Sequence, residues 1–229
     1  MEAGKVRTNP RLEQLLGRWL AGYPRSQQLL GSDTRGRLLA GTAVAVLEHG
    51  IREASVEQIL EASGFSRRTF YKAFRSKEAA LEALFAGCAQ ILVEAVQGAV
   101  LSAHTPAERV IAAVDCYLDW LERGGSLMIG LQAEAIRSDS PLAPHREFVF
   151  SALIGLLDTH VRASLGARVD PYVYRCLLMG MEGLIIEAER RSEFTVRERM
   201  RVRAAFLPVL LRTLAPDGAK LARLPVLDE

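Results

Sequence analysis

The amino-acid sequence predicts an all-α protein, and two observations support that prediction. Apolar residues recur at helical spacing through almost the whole chain, and no Asn-Gly or Asp-Gly pair joins alternating segments as in a β-hairpin. Many of these segments also begin at capping residues or end at glycine or proline. The predicted helices cover about 10–21, 33–48, 56–62, 67–74, 77–100, 105–123, 126–137, 145–165, 171–191 and 196–214.

The two short helices at 56–62 and 67–74 are separated by a tight turn. Ser55 is placed to cap the first of them, with Gln58 as its capping-box partner. Gly64 allows the left-handed backbone that ends a helix, and Ser66 can cap the next helix at once. Ile59, Leu60 and Ala62 give the first of these helices its apolar side.

The second short helix has two contrasting faces. Phe70 and Phe74 share one face at i, i+4 spacing, which indicates core packing, and Phe65 with Phe70 is placed as a hydrophobic staple. The opposite face is basic and carries hydroxyls, which suits a DNA major groove lined by phosphates. A solvated surface helix is the alternative for such a helix on its own.

These motifs occur in an order that resembles a known domain. Residues 34–78 resemble the DNA-binding domain of the tetracycline-repressor (TetR) family of bacterial transcription regulators. Residues 66–74 match the recognition helix of that domain, and Ser76-Lys77-Glu78 matches the start of its fourth helix. The resemblance implies a three-helix, helix-turn-helix reader of double-stranded DNA.

The resemblance also implies DNA contacts for six polar residues. Tyr71 and Lys77 match positions that touch phosphates, whereas the others lie near bases or phosphates or add charge. Arginine contacts phosphate as well as guanine, so the role of Arg68 stays open. The six residues are Arg67, Arg68, Thr69, Tyr71, Lys72 and Lys77.

The first helix of the domain departs from the family pattern at three positions, one of which is Val46 in place of the usual phenylalanine. Gly41 and Thr42 stand where the family usually has two alanines. Because glycine costs about 0.5–1 kcal/mol relative to alanine inside a helix, we expect Gly41 to weaken this helix.

Charge is distributed unevenly along the chain. Residues 1–77 carry 13 Lys/Arg and 7 Asp/Glu, a net charge of +6, whereas residues 78–229 carry 16 and 20, a net charge of −4. A basic N-terminal third agrees with a polyanionic partner at one end of the protein.

The cysteines argue against a metal site or a disulfide framework. Cys88, Cys116 and Cys176 are far apart, with no Cys-x-x-Cys pair, and we expect them to be small buried thiols. The N-terminus shows no signal-peptide pattern, and no stretch is expected to be apolar over the length that a membrane span needs. A cytoplasmic protein with no membrane partner and no cofactor is therefore expected.

The resemblance implies that the helices after residue 78 enclose a small-molecule pocket. Aromatic, methionine and cysteine side chains on these helices are candidates to line it, although plain core packing is the alternative. Glu134 and Glu182 have apolar or small neighbours, and if buried they need a cationic ligand or an internal partner such as Arg137 or Arg175. The candidate ligand-binding residues are Tyr117, Trp120, Met128, Glu134, Phe148, Cys176 and Met179.

The resemblance also implies a homodimer built on the last two helices, at 171–191 and 196–214. Gly180 and Gly183 would permit close helix approach there. Phe206, Leu207, Leu210 and Leu211 form an apolar face that could contact a second subunit or belong to the internal core.

Residues 1–32 precede the family pattern and contain an apolar stripe. Leu12, Leu15, Leu16, Trp19 and Leu20 recur at helical spacing, so we expect a helix docked by its apolar side. Its basic residues could contact DNA as an arm, or the helix could serve stability alone.

An enzyme is not indicated. Di-iron carboxylate bundles need Glu-x-x-His pairs, and none of the four histidines forms one. No nucleophile elbow or phosphate loop is present.

The combined interpretation is a ligand-responsive transcription regulator, a repressor released from an inverted-repeat operator by a small-molecule effector. A DNA-binding architectural or adaptor protein without a ligand is the alternative. The predicted domains are an N-terminal extension at 1–32, a DNA-binding domain at 33–78, a helical ligand-binding and dimerisation domain at 79–215 and a tail at 216–229.

Overall fold

The fold was obtained as a computed structural model, and it describes residues 33–165, 169–191 and 194–214, together with Gly17, 22–23 and 25–31. The regular elements in these residues are all helices, which confirms the all-α prediction, and the long helices begin and end within two residues of their predicted bounds. The helices are α1 (Ser26–Leu29), α2 (Thr34–His49), α3 (Val56–Ser63), α4 (Arg67–Ala73), α5 (Lys77–Leu101), α6 (Pro106–Ala135), α7 (Ala143–Leu165), α8 (Pro171–Arg191) and α9 (Val196–Leu214).

Helix α6 contains the break that the sequence predicts at Gly124-Gly125. Gly125 has φ 54° and ψ −149°, a conformation outside the helical region that glycine adopts without a Cβ clash. The two helices predicted at 105–123 and 126–137 are therefore two segments of one kinked helix.

The chain packs as two compact units. The first comprises residues up to Ile91 together with Arg123–Arg146, and the second comprises Leu92–Glu122 together with residues from Glu147 onward. In the first unit Leu38, Ile59 and Phe70 are among the fully buried side chains, and in the second Trp120 and Tyr174 are.

The segment before α2 packs on the first unit. A Cβ at Gly87 of α5 would collide with the side chain of Leu29, so the glycine makes room for α1. Helix α1 itself was not predicted. The predicted helix at 10–21, apart from Gly17, and the predicted tail at 216–229 lie outside the described residues.

Helix α5 corrects the expectation that no stretch is long and apolar enough to cross a membrane. By length and composition this 25-residue helix qualifies, and it is the one such helix among the described residues. Glu82, Gln90 and Glu94 interrupt its apolar residues, so the sequence contains no long uninterrupted apolar run. Leu84, Cys88 and Val96 of this helix are buried, so its apolar surface serves the core.

The three cysteines differ in exposure, so the prediction of buried thiols is correct only in part. Cys88 is buried, and burial raises the pKa of its thiol well above the usual range. Cys116 is half-buried, and Cys176 is exposed because it lies on the outer face of α8.

The last helices show which apolar face belongs to the core. Phe206, Leu207, Leu210 and Leu211 of α9 are buried within the single chain. The suggestion that they form the subunit seam is therefore wrong, and the alternative of internal core is confirmed. A Cβ at Gly180 would make an ordinary van der Waals contact, 3.4 Å from the Phe206 ring, so the approach of α8 and α9 there does not require glycine.

Ion pairs between α6 and α9 add to the packing of the second unit. Arg199 lies 3.1 Å from Asp119 and 3.0 Å from Glu122, and Arg203 pairs with Asp115. These side chains are half-buried, so their pairing is screened less by salt than that of fully exposed charges.

Candidate nucleic-acid interface and apolar cavity

Helix α3 begins and ends as its sequence predicts. The Ser55 N–H donates to Gln58 Oε1 at 2.7 Å, and the Gln58 N–H donates to Ser55 Oγ at 3.3 Å, which completes the capping box. Gly64 has φ 71°, and its N–H donates to the Leu60 carbonyl at 2.8 Å. This left-handed residue turns the chain directly into α4.

Helix α4 has a buried aromatic face. The Thr69 N–H donates to Ser66 Oγ at 3.3 Å, so Ser66 is the N-cap. Phe70 is fully buried and its ring centroid lies 5.9 Å from that of Phe74, which confirms core packing for both residues. Phe65 lies beneath the Arg37 guanidinium, 4.6 Å from the ring centroid to Cζ.

The opposite face of α4 points to solvent. Arg67, Arg68 and Lys72 are exposed, Thr69 is half-buried, and Tyr71 is 51% exposed while its ring packs edge-on against Phe70. The helix therefore presents cations and hydroxyls outward from a rigid apolar base. That these five side chains contact DNA stays a prediction.

One of these cations already has an acidic neighbour. Arg67 forms an ion pair with Glu57 of α3, and both side chains are exposed. The sequence offered no signal for this pair, because the residues are ten positions apart on different helices. A DNA phosphate would have to compete with Glu57 for Arg67.

Lys77, at the first position of α5, is held by backbone. Its Nζ donates to the Arg52 carbonyl at 2.9 Å, and the Ala79 N–H donates to Ser76 Oγ at 3.2 Å, so Ser76 caps the same helix end. An ammonium group has three N–H donors, which leaves Lys77 two for a phosphate. The contact between Lys77 and Arg52 was not predicted from the sequence, because Arg52 takes part through its backbone carbonyl oxygen rather than its side chain.

The second unit contains a partly open cavity with an apolar lining. The cavity volume is about 40 Å³, within about 470 Å³ of empty space that includes the open mouth. Helices α5 to α9 all contribute, and no carboxylate is among the lining residues. Representative lining residues are Val96, Val110, Tyr117, Leu157, Met181 and Leu214.

The seven predicted ligand-binding residues do not form one cluster. Tyr117 lines the cavity, and Trp120 is buried one turn further along α6. Phe148, Cys176 and Met179 are exposed on α7 and α8. Met128 and Glu134 belong to the first unit, where Met128 is buried.

Glu134 has internal partners. Its carboxylate lies 3.7 Å from the Arg52 guanidinium and 3.7 Å from that of Arg137. The Arg137 partner was one of the alternatives that the sequence left open. Arg175, the other candidate, pairs instead with Glu147, at 3.1 and 2.8 Å.

Sequence comparison agrees with the geometry of the first unit. The family profile described as bacterial regulatory proteins, tetR family, matches residues 38–84, which cover most of α2, all of α3 and α4, and the start of α5. Residues 38–84 therefore carry the N-terminal domain of the TetR family. A comparison with curated protein sequences gave no match.

Solved structures of TetR-family and related regulators share the fold. The TetR-family regulator SCO4454 from Streptomyces coelicolor has a TM-score of 0.61 at 19% identity, over 88% of this chain and 96% of its own. Reduced NemR from E. coli has a TM-score of 0.60 at 20% identity, over 75% and 94% of the two chains. FadR from Bacillus subtilis, in complex with stearoyl-CoA, has a TM-score of 0.58 at 16% identity, over 78% and 94%.

Gly41, the departure from the usual TetR alanine, has a packing role. A Cβ at this position would lie 2.7 Å from Ser63 Cβ and 2.9 Å from the Ile59 carbonyl oxygen. The glycine therefore lets α2 and α3 approach closely. The prediction that Gly41 weakens its helix did not include this contact, because helix propensity does not register packing between helices.

Proposed function

We propose that this TetR-family transcription regulator is a cytoplasmic homodimer that represses genes from an inverted-repeat operator and is released by a small molecule. Residues 33–78 would read DNA, and residues 79–215 would bind the effector and the second subunit. The observation that supports DNA reading most strongly is the exposed basic face of α4 on its buried aromatic base. The preformed position of Lys77 adds to it.

The exposed side chains divide by the contact that their chemistry favours. Lys72 and Lys77 are point charges suited to phosphate, and the exposed Tyr71 hydroxyl can donate to a phosphate oxygen. Arg68 can read guanine or bind phosphate. Two α4 helices in a dimer would enter successive major grooves, so half-sites should lie about one helical turn, roughly 34–36 Å, apart.

The cavity supports an effector with an uncharged, apolar body. Its lining includes no carboxylate, and Glu134 is already paired with two arginines, so a cationic ligand gains little support. The cavity volume of about 40 Å³ is smaller than that of most ligand sites, so ligand binding would have to widen the cavity. Bacillus subtilis FadR, crystallised with stearoyl-CoA, shares the fold and agrees with an effector bound in such a body.

The DNA-binding activity is tested by replacing Lys77 with alanine. We expect weaker binding to every duplex and a salt dependence of log K that is shallower by about one unit, because one phosphate contact is lost. The measurement is fluorescence anisotropy with a labelled duplex selected from random sequences. If the affinity and the salt slope were unchanged, Lys77 would not belong to the DNA interface. If the wild type bound random DNA as tightly as the selected duplex, an architectural role would be favoured.

The effector part of the same proposal is tested with 1-octanol, an uncharged apolar probe. We expect 1-octanol to raise the melting temperature, because it binds the folded state, and to lower the affinity for the selected duplex. Ethanol at the same concentration is the control. If the melting temperature and the DNA affinity responded alike to both alcohols, the proposal of an apolar effector would be contradicted. The proposal of DNA binding would not be affected.

A second copy of the chain is the proposed occupant of an exposed apolar stripe on α8. Tyr172, Cys176, Met179 and Gly183 are spaced four, three and four residues apart, and all are exposed. On α9, Val196 and Met200 are also exposed. This stripe replaces the buried Leu210 and Leu211 as the proposed seam.

Replacing Met179 with glutamate should therefore shift the protein from dimer to monomer, because a charge would be desolvated in the seam. Sedimentation velocity over a range of concentrations measures the shift. Leu101→Glu is the control, since Leu101 is an exposed apolar residue on α5. A Met179→Glu variant that sediments as a stable dimer would place the interface elsewhere.

A further inference from the structure

The turn between α2 and α3 makes contacts with two other parts of the first unit. Ile51 Cδ1 lies 3.9 Å from where a Cβ at Gly130 of α6 would be. The Arg52 guanidinium lies 3.7 Å from the Glu134 carboxylate, one helical turn further along α6. The Arg52 carbonyl accepts the hydrogen bond from Lys77 Nζ at 2.9 Å. One turn thus touches α6 and also holds a predicted phosphate ligand.

The turn is well defined at both ends. Gly50 has φ 85°, and its N–H donates to the Val46 carbonyl at 2.8 Å. The Ala54 N–H donates to the Gly50 carbonyl at 3.0 Å, and Ala54 is buried. The turn therefore holds the Arg52 carbonyl in a defined position, and the Glu134–Arg52 ion pair ties the same residue to α6.

Glu134 anchors the α6 side of this arrangement. Its side chain is 19% exposed, whereas that of Arg52 is 66% exposed. Arg137 also lies 3.7 Å from Glu134, but its closer partner is Asp139, at 3.0 and 2.6 Å. Loss of the Glu134 charge would therefore release Arg52 while Arg137 kept its closer partner.

The same helix also lines the cavity. Val110 and Tyr117, in the first segment of α6, are lining residues, whereas Gly130 and Glu134 lie in the second segment. Gly125, with its non-helical backbone, separates the two segments.

We propose that Glu134 is a positioning residue for DNA binding, acting through Arg52 on the Lys77 ammonium. The state of the second α6 segment then sets how Lys77 meets a phosphate. This inference rests on the proposed function, because the phosphate contact of Lys77 is part of it.

A double-mutant cycle tests the coupling, with Glu134→Gln and Lys77→Ala as its single variants. The probe is a labelled 30-base-pair duplex of random sequence at low salt, since a phosphate contact needs no operator. We expect Glu134→Gln to weaken binding about two- to fivefold, as for the loss of a partly exposed ion pair. The double variant should bind no more weakly than Lys77→Ala alone.

Asp139→Asn is the matched control, because it removes a carboxylate that pairs with Arg137 and acts on Arg52 only through its charge, and it leaves the Glu134–Arg52 pair in place. It should bind DNA as the wild type does. Melting temperatures verify folding, and Arg52→Gln, which keeps the carbonyl, takes the place of Glu134→Gln if that variant does not fold.

The inference would be overturned, with DNA binding itself unaffected, if Glu134→Gln bound the duplex as tightly as the wild type or more tightly. Additive losses of affinity in the double variant would overturn it as well. So would a loss of affinity in Asp139→Asn equal to that in Glu134→Gln. If the wild type did not bind the duplex, or Lys77→Ala bound normally, the proposed phosphate contact itself would fail.

Discussion

Replacing Phe70 with alanine is expected to lower the free energy of unfolding by about 3–5 kcal/mol. Phe70 has no solvent exposure and lies on the inner side of α4, the helix that carries the predicted DNA-contacting residues. Its removal leaves a cavity beside Phe74 and takes away the ring on which Tyr71 packs edge-on. Urea unfolding followed by circular dichroism, at one fixed protein concentration, measures the loss.

Phe148→Ala provides the matched control. Phe148 is 43% exposed and was predicted to line the ligand pocket. A substitution at this surface position should change the free energy of unfolding by about 0.5 kcal/mol or less. Equal losses in the two variants would contradict the assignment of Phe70 to the core of the reader.

Replacing Gly41 with alanine is expected to destabilise the protein by about 1–3 kcal/mol, through overpacking between α2 and α3. The nearest atoms to the new methyl group would be Ser63 Cβ at 2.7 Å and the Ile59 carbonyl oxygen at 2.9 Å. The backbone oxygen cannot rotate away, so the helices must separate. DNA affinity should fall as well, because α3 leads directly into α4. Urea unfolding and duplex anisotropy measure the two effects.

Gly98→Ala is the control for this substitution. Gly98 lies in α5, is exposed, and has no atom within 4 Å of an added Cβ. Here alanine should stabilise the helix by up to about 1 kcal/mol, as helix propensity predicts. If Gly41→Ala stabilised the protein, the contact between α2 and α3 would be loose enough to accept the added methyl group.

The helices of this protein were predictable because their signals are local. The Ser55 capping box, the left-handed Gly64 and the kink at Gly125 each depend on residues within a few positions of one another. The two faces of α4 follow from helical spacing in the same way. The position of the DNA-binding domain was therefore evident from the sequence.

The partners across helices were not predictable, because they depend on which surfaces the fold brings together. Arg67 pairs with Glu57, and Lys77 donates a hydrogen bond to the carbonyl of Arg52. The sequence separations of these pairs are unrelated to the helical period. The predicted ligand residues Phe148, Cys176 and Met179 share the apolar character of cavity residues, yet they are exposed. Composition cannot distinguish a cavity from a core or a subunit seam.

The sequence by itself determined where the helices lie, how they are capped and that α4 has one apolar and one basic face. Only the tertiary structure decided which apolar faces are covered within the chain: Leu210 and Leu211 are internal, whereas Met179 is exposed. It also showed that Gly41 lies at a close contact between two helices. The physical reason is that helical periodicity defines a face, whereas burial of that face is a property of the elements packed against it.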